Sequence, residues 1–251
     1  ALAAGLQLLS QKGADASDLR SFFRGARLPS IALLLIVGLY SLKTLQRHPA
    51  WQDSLTLYDT DAPRAPDCAK LRYHYGLELN KGSEEAASPQ EKQSMLQQAQ
   101  RELQAALQLA PSYGDAYAQM GLVHFRSGQP DKALESYRKS LEHTPGKATV
   151  YSNMGIIYFQ RNQIEKAEEV YTKAVELDPA YVDARRNLGS VYARTGRFDA
   201  AIDQFSAALQ YAPDDATINY YLGLAWRDKG QPEKGQPYLE KAYRLNPQLK
   251  K

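Results

Sequence analysis

One cysteine, Cys68, in 251 residues leaves no partner for an internal disulfide and no thiolate set for a structural zinc. Histidine is also scarce: His48, His74, His124 and His143 fall at no spacing that would gather metal ligands. An excess of charge of one sign is missing too. The formal net charge is only +3 and no long basic block occurs, which argues against a nucleic-acid partner. Phenylalanine is outnumbered six to seventeen by tyrosine. Asp59 and Asp61 lie two apart on an expected helix, so they face different ways and make a poor catalytic pair. The glycine pairs recur at turns between amphipathic helices and do not form a phosphate loop. No catalytic residue, cofactor or metal site is expected in this chain.

Long apolar runs are absent except for one. Leu28 to Leu42 are 15 consecutive uncharged residues, and Thr44 and Leu45 extend the run beyond Lys43. Fifteen helical residues rise about 22 Å against a hydrocarbon core of about 30 Å, so the length is borderline for a span. Lys43 is placed to snorkel, and Tyr40 and Trp51 suit the headgroup region. A transmembrane helix over 28–46 is the expectation. A buried core helix is the alternative, and a cleaved signal is disfavoured because no small-x-small motif follows. Residues 1–27 read as the end of a preceding span and a basic connector carrying Lys12, Arg20, Arg24 and Arg27. Beyond the run come only Lys43 and Arg47 before Arg64, so the charge bias puts the connector in the cytoplasm. Everything after Arg47 then lies on the non-cytoplasmic side, in periplasm or lumen.

What the remainder does contain is a period. Gly121, Gly155, Gly189 and Gly223 are spaced by 34 residues. Twelve positions after each stand Ala133, Ala167, Ala201 and Gly235; sixteen after, Tyr137, Tyr171, Phe205 and Leu239; twenty-four after, Pro145, Pro179, Pro213 and Pro247. The small residues let two helix backbones approach, the large column fills the gap between them, and the proline ends the second helix. Gly128, Gly196 and Gly230 sit where a left-handed C-cap is needed.

This pattern resembles the tetratricopeptide repeat family. The resemblance implies an all-α fold, a right-handed α-α superhelical solenoid, here preceded by the expected transmembrane helix. The units are 67–113 with an insertion, 114–147, 148–181, 182–215 and 216–251. In the first, Gly76, Ala99, Leu103, Ala106 and Pro111 match, with eleven residues inserted between the helices. Ser88, Pro89 and Glu91 read as a helix start, so the insertion should lengthen the second helix by two turns or more. Pro237 should kink or delay the second helix of the last unit.

Residues 47–66 fit the same register as a half-unit, with Ser54, Tyr58 and Pro66 in the small, aromatic and proline columns. They read as a capping helix in which Trp51 and Leu55 are candidates for burial. The junction also resembles that of membrane O-mannosyltransferase-like proteins that end in tetratricopeptide repeats, through Thr44, Arg47, Pro49, Trp51, Leu55, Thr56, Leu57 and Tyr58. That resemblance implies a polytopic glycosyltransferase as the parent protein, using a lipid-phosphate sugar. The family's catalytic acidic residues have no match in this chain.

Unit positions 2, 5, 6, 9, 12 and 13 should line a concave groove. They give Tyr73, His74, Gln119, Phe125, Asn153, Phe159, Arg186, Asn187, Arg194, Tyr220, Tyr221 and Arg227 as candidate peptide-binding residues. Asn153 and Asn187 are equivalent, and amides one repeat apart can bond an extended backbone. His124 occupies a column usually filled by a packing tyrosine and is expected in the core. The expected function is a membrane-anchored scaffold that binds a peptide or protein partner, as the C-terminal part of a glycosyltransferase-like protein. The alternative is an accessory or assembly subunit of a larger membrane complex with no transferase role.

Overall fold

A computed structural model describes residues 54–250. The expected transmembrane helix at 28–46, the connector before it and Trp51 lie outside the described residues. Among the described residues no helix is long and apolar enough to cross a membrane. Contacts divide the chain into two units, 1–60 and 61–251.

Helix α1, Ser54–Asp61, carries the described part of the first unit, and none of its residues is fully buried, Leu55 included. The second unit opens with a 3-10 turn over Ala62–Arg64, in which Ala62 is 1% exposed. It then consists of ten helices in five antiparallel pairs. The first pair is α2, Ala69–Gly82, and α3, Pro89–Leu109. The others are α4, Gly114–Arg126, with α5, Pro130–His143; α6, Ala148–Gln160, with α7, Ile164–Leu177; α8, Val182–Arg194, with α9, Phe198–Tyr211; and α10, Ala216–Asp228, with α11, Pro232–Leu245. A 3-10 turn, Pro247–Lys250, follows. Each first helix packs on its own second helix, which in turn packs on the next first helix. The result is an all-helical solenoid with no strand among the described residues.

The glycine column explains the pairing. A methyl group at Gly155 would lie 2.5 Å from the Tyr171 ring, and one at Gly189 would lie 2.6 Å from Phe205. Only hydrogen at these positions admits the aromatic ring of the partner helix. Tyr137, Tyr171 and Phe205 are accordingly 0–2% exposed, and Ala133, Ala167 and Ala201 are fully buried beside them. The three-residue turn after the first helix requires a left-handed residue in the second to fifth pairs. Gly128, Gly196 and Gly230 supply it with φ of 71°, 73° and 85°. In the third pair Asn162 takes the same place at φ 57°, since a short amide tolerates that region better than other side chains.

Two expectations need correction. The inserted residues lengthen α3 to 21 residues against 14 in the other second helices, which is just under two turns; most of the rest enter the loop before it. The start is capped as expected: the Glu91 amide donates to Ser88 Oγ at 3.1 Å, and the Ala87 amide donates to Glu91 Oε2 at 2.8 Å. Pro237 does not delay its helix, because α11 begins at Pro232 and runs on through Pro237. It is the sixth residue of α11, beyond the first four whose amides lack an intrahelical acceptor, so it removes one intrahelical bond without ending the helix.

Candidate functional site

The groove is built where the first helices α6, α8 and α10 stand side by side. Its floor and walls enclose about 560 Å³. Phe159 enters from α6; Arg186, Asn187, Ser190 and Ala193 from α8; Thr217, Tyr221, Leu224 and Asp228 from α10. Tyr171 and Phe205, the aromatic residues wedged between helices, reach it from below. The lining is therefore apolar at its base with a few polar groups above.

Individual geometries define what the groove offers. Tyr221 is 38% exposed and stacks on Phe205, with ring centroids 5.9 Å apart. Asn187 is half-buried, and its amide makes no hydrogen bond within the described residues. Arg186 pairs with Asp183 at 2.8 Å, one helical turn away. The Arg194 guanidinium lies over the Phe159 ring at 5.0 Å and donates to Asn162 Oδ1 at 2.8 Å. Burial pushes the Tyr171 phenol well above its ordinary range, so it stays protonated.

Of the twelve candidate residues, the groove brings together Phe159, Arg186, Asn187 and Tyr221, with Arg194 stacked over Phe159 at its edge. The others have different places. Tyr73 packs edge-on against His74 and tilted against Tyr113, at 5.0 and 4.9 Å. Burial, then the Tyr113 phenol, raises the Tyr73 pKa. Gln119 accepts from Asn80 Nδ2 at 3.3 Å, and Phe125 packs against the core. Asn153 adjoins the buried Tyr137 hydroxyl without hydrogen-bonding geometry, and that hydroxyl has no partner. Tyr220 lies between Tyr221 and Tyr243, and Arg227 is held by Asp228 at 2.8 Å.

Sequence reasoning missed one arrangement entirely. Arg126 Nη1 donates to the main-chain oxygen of Asn80 at 2.7 Å and to Asn80 Oδ1 at 2.8 Å, while Nη2 pairs with Glu84. Asn80, 1% exposed, also holds Gln119. The groove positions of the first two pairs are thus tied to one another. The only signal was an arginine at position 13 of its unit, which the column count registers but whose partner, in the inserted unit, it does not. His124 lies in the core as expected at 8% exposed, with Nδ1 lacking a partner and its pKa lowered chiefly by burial, then by Lys132. No cluster of side chains able to hold a metal occurs among the described residues.

Solved structures share this fold. MamA is 22% identical with a TM-score of 0.57, the match covering 69% of this chain and 91% of that one. YrrB, described as a TPR protein with an unusual peptide-binding site, is 23% identical with a TM-score of 0.58, covering 76% and 92%. PilF of Pseudomonas aeruginosa is 20% identical with a TM-score of 0.61, covering 71% and 78%. No curated protein matches in sequence. Residues 55–251 match the family model described as the cilia and flagella-associated protein 70 C-terminal domain, and the chain belongs to that tetratricopeptide repeat family.

Proposed function

We propose that this chain is an interaction scaffold that holds an extended peptide segment of a protein partner across α6, α8 and α10. The observation that carries this reading is the unpaired Asn187 amide above an aromatic and aliphatic floor. An amide offers both a donor and an acceptor, which is what a peptide backbone needs. Tyr221 and Leu224 supply apolar area beside it for a side chain. The peptide-binding site named for YrrB, a neighbour in fold, supports the same use. Panning a random peptide library against the purified chain should yield sequences whose affinity falls about tenfold in Asn187→Ala and in Tyr221→Ala. Peptides that bind both variants as well as the unaltered chain would put the site elsewhere.

The finer reading is a membrane-anchored scaffold, with 28–46 as the span and the repeats on the non-cytoplasmic side. The uncharged run at 28–42 and the uneven placement of basic residues support it. The junction motif at Thr44–Tyr58 supports a glycosyltransferase-like parent, in which the groove presents acceptor protein to a site elsewhere. Cys68 is exposed and is the one thiol in the sequence, so an impermeant maleimide reports its side of the membrane. Labelling in intact cells or spheroplasts is expected. Labelling only after lysis would exclude the external placement. Stoichiometric co-purification with other membrane subunits, without transferase activity, would favour the assembly-subunit alternative.

A further inference from the structure

The two arginines at position 13, Arg126 and Arg194, reach back in the same way to the preceding pair of helices. Arg126 meets position 12 of that pair, Asn80, and then the Glu84 carboxylate four residues on. Arg194 meets position 12 of its own preceding pair, Phe159, and then the neutral Asn162 amide three residues on. One guanidinium is therefore neutralised within the fold. The other has an aromatic face and an amide oxygen, and it forms no ion pair among the described residues. Arg186 and Arg227, the other cations along the groove, are each matched by a carboxylate, Asp183 and Asp228. The local balance leaves one positive charge, exposed and beside the open pocket.

We infer that the groove selects an acidic peptide: a Glu or Asp side chain of the partner seats on Arg194 in the place that Glu84 takes on Arg126. The inference rests on the peptide-groove reading and adds the chemistry of the occupant. A guanidinium held by stacking keeps donors in a fixed fork, which suits a carboxylate better than a neutral group. From Arg194 the segment passes over Asn187 and delivers an apolar or aromatic side chain to Tyr221 and Leu224. Two interaxial spacings of about 8–10 Å separate α6 from α10, so five or six extended residues span the groove at about 3.3 Å each.

The test uses the full chain and three fluorescein-labelled hexapeptides that end in tryptophan and begin with glutamate, glutamine or lysine. Anisotropy titrations at about 50 mM salt should give the glutamate peptide roughly fivefold tighter binding than the glutamine peptide, with the lysine peptide weakest. Arg194→Gln should erase that ranking. Raising salt to about 0.5 M should compress it, because the pair is exposed. Asn187→Ala should weaken all three alike. Equal affinity of the three peptides, with Asn187→Ala still weakening each, would overturn the acidic preference and leave the groove reading standing. Binding indifferent to Asn187→Ala would instead overturn the groove reading.

Discussion

In the first two helix pairs, Asn80, Gln119, Arg126 and Glu84 satisfy one another at the positions that line the groove. In the last three, the same positions carry Asn187 with a free amide, Arg194 without a carboxylate, and Tyr221 turned outward on Phe205. The helices beneath the second, third and fourth pairs are alike: 13 and 14 residues, glycine against an aromatic ring, alanine at the close approach; the first and last pairs put Leu103 and Leu239 against the glycine instead. A repeat can therefore hold its core constant while the surface is either closed by its own side chains or left open for another molecule's. Stability and recognition are separable here, because they reside in different columns of the same unit.

The sharpest test of a shared core is to remove the aromatic wedge in each half. Tyr137→Ala and Tyr171→Ala should each destabilise the chain by about 3–5 kcal/mol, read as a fall in the urea midpoint. The two costs should agree within about 1 kcal/mol, although one lies under the closed half and the other under the open one. A much smaller cost for Tyr171→Ala would mean that the open half is loosely packed, and the comparison would have to be recast as one of order.

Asn80→Ala should cost less, about 1–3 kcal/mol, and only on the closed side. It removes the Oδ1 acceptor from Arg126 and the donor from Gln119 at a position only 1% exposed. Denaturation should show the loss, while peptide affinity at Asn187 stays within twofold. An equal loss of affinity would show that the two halves are coupled and not merely adjacent.

Much of this was legible in the sequence, and for a physical reason. The glycine, alanine and large-residue columns are imposed by sterics between two helices and the proline column by the need to end the second one, so they recur at 34 residues and can be counted. Gly128, Gly196 and Gly230 were readable because a left-handed turn restricts the residue; Asn162 escaped because asparagine has many other uses. Groove positions were readable as columns, which is why Phe159, Arg186, Asn187 and Tyr221 come together. Which of them are free was not. Asn80 and Glu84 belong to the unit with the insertion, and pairing across units depends on where long side chains end, which periodicity does not encode. Arg126 and Arg194 share a column and differ only in what the preceding unit puts in front of them.

His124 separates the halves by pH. It stands where the later units have Tyr158, Tyr192 and Trp226, and burial lowers its pKa, so the folded chain gives up its proton more readily than the unfolded one. The unfolded chain takes up the proton more readily. Well above about pH 6.5 both states are neutral at this position and stability does not depend on it. As pH falls below that value the folded state is disfavoured, by at most about 1.4 kcal/mol per pH unit. Denaturation at pH 7.5 and 5.5 should show this loss, and His124→Tyr should remove most of it. Retention of the full loss in that variant would assign the titration to another group.

The smallest change in stability should come from the substitution that bears most directly on the difference between the halves. Asn162→Asp places a carboxylate in front of Arg194, much as Glu84 stands in front of Arg126. Aspartate tolerates the left-handed conformation nearly as well as asparagine, and an exposed ion pair is worth about 0–1 kcal/mol. The unfolding free energy should thus change by no more than about 1 kcal/mol. Recognition should change far more in kind, because the guanidinium would be neutralised from within and the glutamate peptide would lose its advantage over the glutamine one. Glu84→Gln is the converse and should release charge at Arg126 without opening a groove, since Asn80 still holds that arginine. If Asn162→Asp left the charge preference intact, the free cation would not be what distinguishes the open half, and the apolar seat at Tyr221 would have to carry the selectivity alone.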